Sequence, residues 1–331
     1  MSTLPRVFLN PKEENEIKQG FPWIFDNEIA FIKNGNSQEK ITDTKLADGS
    51  VVEVMTKSGQ YLGTGVFNKK SKITVRIMSR YGVSEEGTSP FTQDFFTKRI
   101  QEAYDLRFAF YNKSDSYRLI FAEADYLPGL IVERYVDTEN RVFLVIQFLA
   151  LCVDKYRKEI IEALREVCKP FGIFERSDAS VREKEGLEQV SGWMNGEHNP
   201  VITIKENGVL LSVDLEKGQK TGYFLDQKWN RATVASLSKG KRVLDTFTHT
   251  GAFGLNAALA GASEVISVDI SEEAIVTVKN NIALNKVGNV MKAVCADVFD
   301  LLKEYEAQKE KFDVIILDPP AFAKSAKAVE K

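Results

Sequence analysis

The sequence lacks the features that mark membrane-spanning, disulfide-stabilised and strongly charged proteins. No apolar run approaches the roughly 18 residues of a membrane span, and the amino terminus has no signal-peptide pattern. The three cysteines (Cys152, Cys168 and Cys295) have neither disulfide nor metal-ligand spacing, which suits a reducing cytoplasm and predicts no metal site. The two histidines, His198 and His249, leave little room for a hydrolytic triad. The net charge of −3 excludes a generally basic nucleic-acid binder, so RNA contact would need a local basic face.

The most informative segment that is present spans residues 243–271. It is typical of a strand, a glycine-containing loop at 245–251, a helix of small residues, and a second strand that is followed by Asp269. In an open parallel sheet, ligands bind just beyond the carboxyl ends of the strands. Gly251 would let the backbone approach a ligand there, and the Asp269 carboxylate can accept both hydroxyls of a ribose. The pattern therefore predicts a site for a nucleoside-containing cofactor.

The loop sequence also bears on which cofactor binds. It is D-T-F-T-H-T-G-A-F-G, without the G-x-G of the dinucleotide fingerprint. The anionic Asp245 stands where a pyrophosphate would come close, and it suits a cationic ligand better, such as the amino group of a methionine moiety. These features favour S-adenosylmethionine over NAD, with a purely structural βαβ unit as the alternative.

Two further strands are predicted in the same unit. Residues 290–297 end in Asp297, which can accept a hydrogen bond from an adenine amino group. Residues 311–320 contain a continuous apolar run typical of a strand buried on both faces, and they end in Asp318-Pro319-Pro320. The prolines fix a turn and supply no N–H, so nearby carbonyls can face a flat, amine-bearing ring. We expect this tripeptide to position the target base.

Several motifs together carry a family resemblance. Residues 20–25 (G-F-P-W-I-F), 122–132 (A-E-A-D-Y-L-P-G-L-I-V) and 220–227 (K-T-G-Y-F-L-D-Q) join the glycine loop and D-P-P. With them, the chain resembles the bacterial 23S ribosomal RNA 5-methylcytosine methyltransferases of the large-subunit methyltransferase I family. Residues 201–323 resemble the catalytic domain of class I S-adenosylmethionine-dependent methyltransferases. The predicted cofactor-binding residues are Phe224, Asp226, Gln227, Arg231, Asp245, Thr250, Gly251, Asp269 and Asp297.

The predicted fold class is α/β with three domains. Residues 1–78 show short alternating strands and resemble a PUA-like, RNA-binding β-barrel. Residues 79–200 form an α/β middle domain, and 201–331 form a Rossmann-like methyltransferase domain that is incomplete at its C-terminus. In the middle domain, Glu123 and Asp125 are interpreted as parts of a turn. Phosphate contacts are predicted for a basic cluster near the end of the barrel, although a solvated strand face is the alternative: Lys69, Lys70, Lys72 and Arg76.

Methylation of cytosine C5 requires a cysteine thiolate that adds to C6 and activates C5 toward the methyl group. In the family that cysteine follows D-P-P in an S-C-S segment, and none of the three cysteines here matches it. Cys152 and Cys168 are predicted core residues, and Cys295 is interpreted as core rather than nucleophile. We therefore expect the chain to be truncated relative to its relatives, with the nucleophile beyond Lys331, and to be inactive on cytosine C5.

Other functions stay open at this point. A methyltransferase acting on a guanine nitrogen needs no cysteine, and a non-catalytic RNA-binding protein could keep the cofactor-shaped loops. The expected partner is 23S ribosomal RNA and no membrane, and the sequence leaves open a homodimer.

Overall fold

The computed structural model describes residues 4–81, 89–218 and 222–320. The chain divides into two compact units. One unit comprises Met1–Tyr135 and Asn140–His198, and the other comprises Val136–Glu139 and Asn199–Lys331. Among the described residues, no helix is both long and apolar enough to cross a membrane.

The first unit begins with a seven-stranded sheet in the order β2-β7-β6-β5-β1-β3-β4. β1 pairs parallel with β5 and antiparallel with β3. On the other side of β5 the pairing is antiparallel, from β5 to β6, from β6 to β7 and from β7 to β2. Its core consists of apolar strand residues such as Val7, Ile32 and Val54. A Cβ on Gly65 would lie 2.2 Å from the Arg76 carbonyl oxygen, so the approach of β6 to β7 requires glycine. The elements are β1 (Arg6–Leu9), α1 (Glu14–Lys18), β2 (Trp23–Phe25), β3 (Ile29–Asn34), β4 (Ser37–Glu39), β5 (Val51–Met55), β6 (Tyr61–Phe67) and β7 (Ile73–Ser79).

The same unit continues with a five-stranded sheet in the order β12-β11-β10-β9-β8. Its apolar faces pack with the helices in one core that includes Phe96, Leu144 and Ile160. Cys152 and Cys168 are buried there, as predicted. The elements are α2 (Gln93–Arg107), β8 (Tyr117–Phe121), β9 (Leu130–Val136), β10 (Val142–Phe148), α3 (Leu151–Asp154), α4 (Arg157–Cys168), β11 (Gly172–Ser177) and β12 (Val190–Trp193).

The second unit opens with an antiparallel hairpin and continues as alternating helices and parallel strands. Its described parallel strands lie in the order β17-β16-β15-β18. Successive strands therefore run outward from β15 to β17, and β18 returns to the other side of β15. This reversal is a topological switch point, where open α/β sheets bind ligands. The elements are β13 (Val201–Glu206), β14 (Val209–Asp214), α5 (Lys228–Leu237), β15 (Arg242–Thr246), α6 (Ala252–Leu259), β16 (Glu264–Asp269), α7 (Glu272–Asn285), β17 (Met291–Cys295), α8 (Val298–Ala307) and β18 (Val314–Leu317).

The expectation that β18 is buried on both faces is wrong. Ile316 is buried, whereas its neighbours Ile315 and Leu317 are exposed. Within the described residues β18 pairs with β15 and forms the edge of the sheet, so an apolar run here does not mean that both faces are covered.

Candidate functional site

The loop that follows β15 has a left-handed backbone at three positions. Phe247, His249 and Gly251 have φ angles of 54°, 52° and 81°. Such angles are uncommon for residues other than glycine and tend to occur at functional sites. The Thr248 N–H donates to the Val268 carbonyl of β16 at 2.9 Å, which holds the loop against the neighbouring strand.

Asp245 ties the loop to the start of α6. Its Oδ2 accepts hydrogen bonds from the Gly254 N–H at 3.0 Å, from the Ser267 hydroxyl at 3.0 Å and from the Thr248 hydroxyl. Burial raises the pKa of Asp245 to about 6, and the nearby Asp318 adds to the rise, while these three donors oppose it. Desolvation of the carboxylate therefore outweighs its hydrogen bonds. The site gains a fixed acidic group that is hidden from solvent.

The close contact between α6 and the sheet depends on Gly254. A Cβ at this position would lie 2.4 Å from Ser267 Oγ, 2.9 Å from Met291 Cε and 3.0 Å from Asp245 Oδ2. Real Cβ contacts are rarely so short, so a side chain here would have to move the helix or displace the side chains of Ser267 and Met291. The small residues of α6 thus allow the helix to lie close to the sheet, and this contact fixes the position of the loop that precedes the helix.

Asp269 lies at the end of β16 and is half-buried. Its Oδ2 accepts from the His249 N–H at 2.9 Å, and its Oδ1 accepts from the Ser271 N–H at 3.0 Å. Each carboxylate oxygen can accept more than one hydrogen bond, so Asp269 keeps acceptor capacity toward a ligand. Burial lowers the pKa of His249, and the carboxylate of Asp269 opposes that shift, so the imidazole is kept mainly neutral at pH 7.

Asp297 follows β17 and begins α8. Its Oδ1 accepts from the Phe299 N–H at 2.8 Å, so the side chain caps the helix and is otherwise exposed. The expectation that Cys295 is a core residue is wrong, because its thiol is exposed. Cys295 is the last residue of β17, the outermost described strand, and it pairs in register with Asp269 at the carboxyl end of the sheet.

The segment 222–231 leads into α5 beside the loop. The Phe224 ring packs edge-on against His249 with ring centroids 5.7 Å apart. Arg231 is buried, and its Nε and Nη2 donate to the two carboxylate oxygens of Glu206 at 2.6 and 2.9 Å. Arg231 Nη2 also donates to the Phe224 carbonyl at 2.9 Å, so the guanidinium holds this segment rather than facing solvent. Lys220 and Thr221 of the predicted motif lie outside the described residues.

The remaining predicted positions lie at the same carboxyl edge. Gln227 Nε2 donates to Asp318 Oδ2 at 3.4 Å, which links the start of α5 to the residue after β18. Pro319 and Pro320 follow and are exposed. Asp226 is exposed as well, and the Thr250 carbonyl accepts from a side-chain amide of α7 at 2.9 Å.

That amide belongs to Asn281, which the motifs in the sequence did not indicate. It is fully buried, and its Oδ1 accepts from the Ser212 N–H of β14 at 2.9 Å while its Nδ2 donates to Thr250. Asn281 therefore joins the hairpin to the glycine loop. An asparagine among the apolar positions of the segment between β16 and β17 is the signal that could have identified it.

The predicted basic cluster of the barrel divides in two. Lys69, Lys70 and Lys72 are exposed. Arg76 differs from the expectation, because it is buried and forms an ion pair with Glu185 at 2.9 Å. Its guanidinium is therefore not available on the surface as a phosphate-binding group.

Within the described residues no cluster of histidine, cysteine and carboxylate side chains could hold a metal ion. The three aspartates instead lie toward the carboxyl ends of three adjacent parallel strands: Asp245 within β15, Asp269 as the last residue of β16, and Asp297 two residues after β17.

Comparisons with known proteins agree with this geometry. Residues 7–80 match the family model of the PUA-like domain, and residues 179–330 match that of the S-adenosylmethionine-dependent methyltransferase. The described fold is similar to a chain named "A putative sam-dependent methyltransferase from Streptococcus mutans", at a TM-score of 0.75 and 27% identity over 96% of this chain and 77% of that one. It is also similar to a chain described as "a putative methyltransferase complexed with SAH", at a TM-score of 0.75 and 28% identity over 98% of this chain and 78% of that one. The fold is that of a methyltransferase whose cofactor is S-adenosylmethionine.

Named proteins with similar sequences identify the family within this class of methyltransferases. The chain is 39% identical to the ribosomal RNA large subunit methyltransferase I of Shewanella denitrificans, over 96% of this chain and 76% of that protein. It is 38% identical to the protein of the same name from Photobacterium profundum, over 96% and 77%. The chain belongs to the ribosomal RNA large subunit methyltransferase I family.

Proposed function

We propose that this chain forms the cofactor-binding and base-binding part of an enzyme that methylates ribosomal RNA, with S-adenosylmethionine bound at the carboxyl edge of the sheet β17-β16-β15-β18. The observation that carries the proposal is the set of three aspartates at or near the carboxyl ends of β15, β16 and β17, next to the switch point between β15 and β18. The family assignment favours this activity over a purely structural unit or a non-catalytic RNA-binding protein.

The three aspartates differ in their surroundings, and we propose different functions for them. Asp269 has acceptor capacity beyond its two backbone donors and would bind the ribose hydroxyls. Asp297 is exposed and uses only Oδ1 as a helix cap, so it would accept from the adenine amino group. Asp245 is buried, so it would hold the loop with Thr250 and Gly251 in place and favour a cationic ligand nearby.

The segment before α5 would complete the cofactor site. Phe224 packs on His249 and is placed to cover a ligand at the loop, while Asp226 and Gln227 lie at the same edge. For Arg231 we propose a positioning function, because its guanidinium is occupied by Glu206 and the Phe224 carbonyl. S-adenosylmethionine, when bound, supplies a methyl group on a sulfonium centre.

The target base would lie beside Asp318-Pro319-Pro320, and we propose cytosine C5 of 23S ribosomal RNA as the site of methylation. The nucleophilic thiol would not be one of the three cysteines of this chain. Burial raises the pKa values of Cys152 and Cys168 to about 12, so neither is a thiolate at neutral pH. Cys295 is exposed, but it pairs with Asp269 on the far side of β15 from β18. The target base is proposed to lie at the β18 side, beside Asp318.

The second candidate is methylation of a guanine nitrogen, which needs no thiolate. The exposed carboxylate of Asp318 favours it, because such a group can accept from a guanine amino or imino N–H.

Incubation of the 331-residue chain with tritiated S-adenosylmethionine and protein-free 23S RNA, followed by nucleoside mass spectrometry, tests these proposals. We expect no 5-methylcytosine from this chain, since it offers no placed thiolate. A methylated guanine would establish the second candidate. Robust formation of 5-methylcytosine would contradict our assignment of the cysteines, and Cys295→Ser would then identify the thiol. Light scattering on the same sample tests whether the chain forms a homodimer.

A further inference from the structure

Exposed aromatic side chains flank one turn of the first unit. Phe121 ends β8 and Tyr126 follows the short 3-10 helix Ala122–Asp125, with 52% and 65% of their surfaces exposed. Isolated exposed apolar residues are ordinary, but two large rings on either side of one turn call for a physical reason.

The backbone of Tyr126 adopts a conformation that is strained for a residue with a side chain. Its φ and ψ are 58° and 27°, the left-handed region that favours glycine. A bulky residue is disfavoured here relative to glycine, and no burial of the ring offsets that strain. Such outliers are typical of positions where the side chain serves binding.

The turn beneath the ring is held rigidly. Asp125 pairs with Arg107 at 2.6 Å and accepts from the Phe121 N–H at 2.6 Å. Glu123 accepts from the Trp23 indole N–H of the seven-stranded sheet at 2.7 Å. The carboxylates of the turn are therefore neutralised or hydrogen-bonded, and both rings project from a fixed base.

Each ring also lies against an arginine. The Arg99 guanidinium lies 5.2 Å from the centroid of the Tyr126 ring, and that of Arg118 lies 4.9 Å from the centroid of Phe121. Cation–π contact on one side leaves the rest of the Tyr126 ring open to solvent. Both guanidinium groups also pair with carboxylates, Arg118 with Glu133 and Arg99 with Glu102 at 3.4 Å, so they support the rings rather than add free charge. The open face of an exposed ring can stack with a planar nucleic-acid base.

We propose that Tyr126 and Phe121 form a stacking platform for unpaired RNA bases, with the guanidinium groups of Arg99 and Arg118 packed against the rings and supporting them. This inference rests on the proposed RNA substrate and adds a second contact region to the barrel lysines. Single-stranded bases stack on exposed aromatic side chains, whereas bases within a duplex present no free face. The platform therefore selects unpaired RNA, and its contribution depends little on salt.

The test is fluorescence anisotropy of Tyr126→Gly with a single-stranded RNA of about 12 nucleotides and with a duplex of the same sequence, over a range of salt concentrations. Removal of one stacked base weakens binding about fivefold or more, so we expect at least that effect for the single strand. We expect an unchanged salt slope, little effect on the duplex, and a melting temperature equal to or above that of the parent, because glycine relieves the strain. Tyr126→Phe should bind like the parent.

Phe110→Ala is the matched control, since Phe110 is also 65% exposed and no described arginine lies over its ring. Parent-like binding by Tyr126→Gly, an equal weakening for duplex RNA, or an equal weakening in Phe110→Ala would overturn the platform. A parent that binds no RNA at all would instead contradict the proposed function.

Discussion

Glu206 and Arg231 form a two-pronged ion pair in which both side chains are almost completely buried, at 3% and 2% exposure. The pair joins the end of β13 to α5, and Tyr223 donates its hydroxyl to the same carboxylate at 3.0 Å. Breaking such a pair leaves a desolvated charge without its partner.

Arg231→Met should therefore lower the free energy of unfolding by about 3–5 kcal/mol, measured by urea denaturation. The double variant Glu206→Gln/Arg231→Met should cost much less, because no unpaired charge remains. Arg242→Met is the matched control: Arg242 pairs with Glu264 at the surface, where an ion pair contributes about 0–1 kcal/mol. Equal destabilisation by Arg231→Met and Arg242→Met would contradict this interpretation.

Asp269→Ala should weaken binding of S-adenosylhomocysteine by about 1–3 kcal/mol in calorimetry, since two ribose hydroxyls would lose their charged acceptor. Asp300→Ala serves as control, because Asp300 lies in α8 with an exposed carboxylate paired to Lys303. Unchanged affinity in Asp269→Ala, or equal affinity of the parent for NAD, would rule out the proposed cofactor site.

The raised pKa of Asp245 predicts a pH dependence of stability. The pKa of Asp245 in the folded state, about 6, lies above its ordinary value of 3.8. The folded state therefore binds this proton more tightly than the unfolded state does. This contribution is fully present below pH 3.8 and is lost as the pH rises through about 6. Denaturation of the parent and Asp245→Asn at about pH 4.5 and 7.5 should show the parent losing about 2–3 kcal/mol relative to the variant. Asp300→Asn should show no such change, and a parallel pH response of the parent and Asp245→Asn would disprove the assignment.

Gly254→Ala should destabilise the second unit by about 1–3 kcal/mol, because the new methyl group would collide with Ser267 and Met291. Gly288→Ala is the control, since its Cβ would have ordinary contact at 3.7 Å from Ile282. Thermal melting with and without S-adenosylhomocysteine measures both effects. A Gly254→Ala protein that is as stable as the parent and binds the ligand as well would show that α6 has room to move.

Replacement of Lys69, Lys70 and Lys72 by glutamine should flatten the salt dependence of RNA binding by about one unit for each of these lysines that binds a phosphate. Arg76 is left unchanged because it is buried with Glu185. Three exposed lysines of the second unit, changed in the same way, control for the lower net charge: Lys279, Lys303 and Lys309. An unchanged slope in the barrel variant would move the electrostatic contact elsewhere.

Local patterns predicted much of this fold. The segments that contain Val52, Ile77 and Leu244 alternate or are apolar over short lengths, and each forms a strand in the structure. The order of Asp245, Asp269 and their strands predicted that these aspartates lie toward one edge of the sheet, because parallel strands end at one edge.

The errors concern partners that are distant in sequence. The local sequence indicates that Arg76 is a surface cation, but in the structure it pairs with Glu185, which lies 109 positions later in the chain. The apolar sequence of its strand indicates that Cys295 is a core residue, but the exposure of Cys295 depends on which strands lie beside β17. Neither fact can be obtained from local sequence, since both depend on tertiary contacts.

The segment Val136–Glu139 belongs to the second unit, although it begins at the last residue of β9 and the chain then returns to the first unit for β10. Its Thr138 N–H donates to the Thr203 carbonyl at 2.9 Å, and Asp137 bridges to Ile204 of β13. The polypeptide therefore passes between the units three times rather than once. A single protease cut after His198 would leave this piece of the second unit on the first fragment, and a fragment that begins at Asn199 would lack the strand-like partner of its own β13.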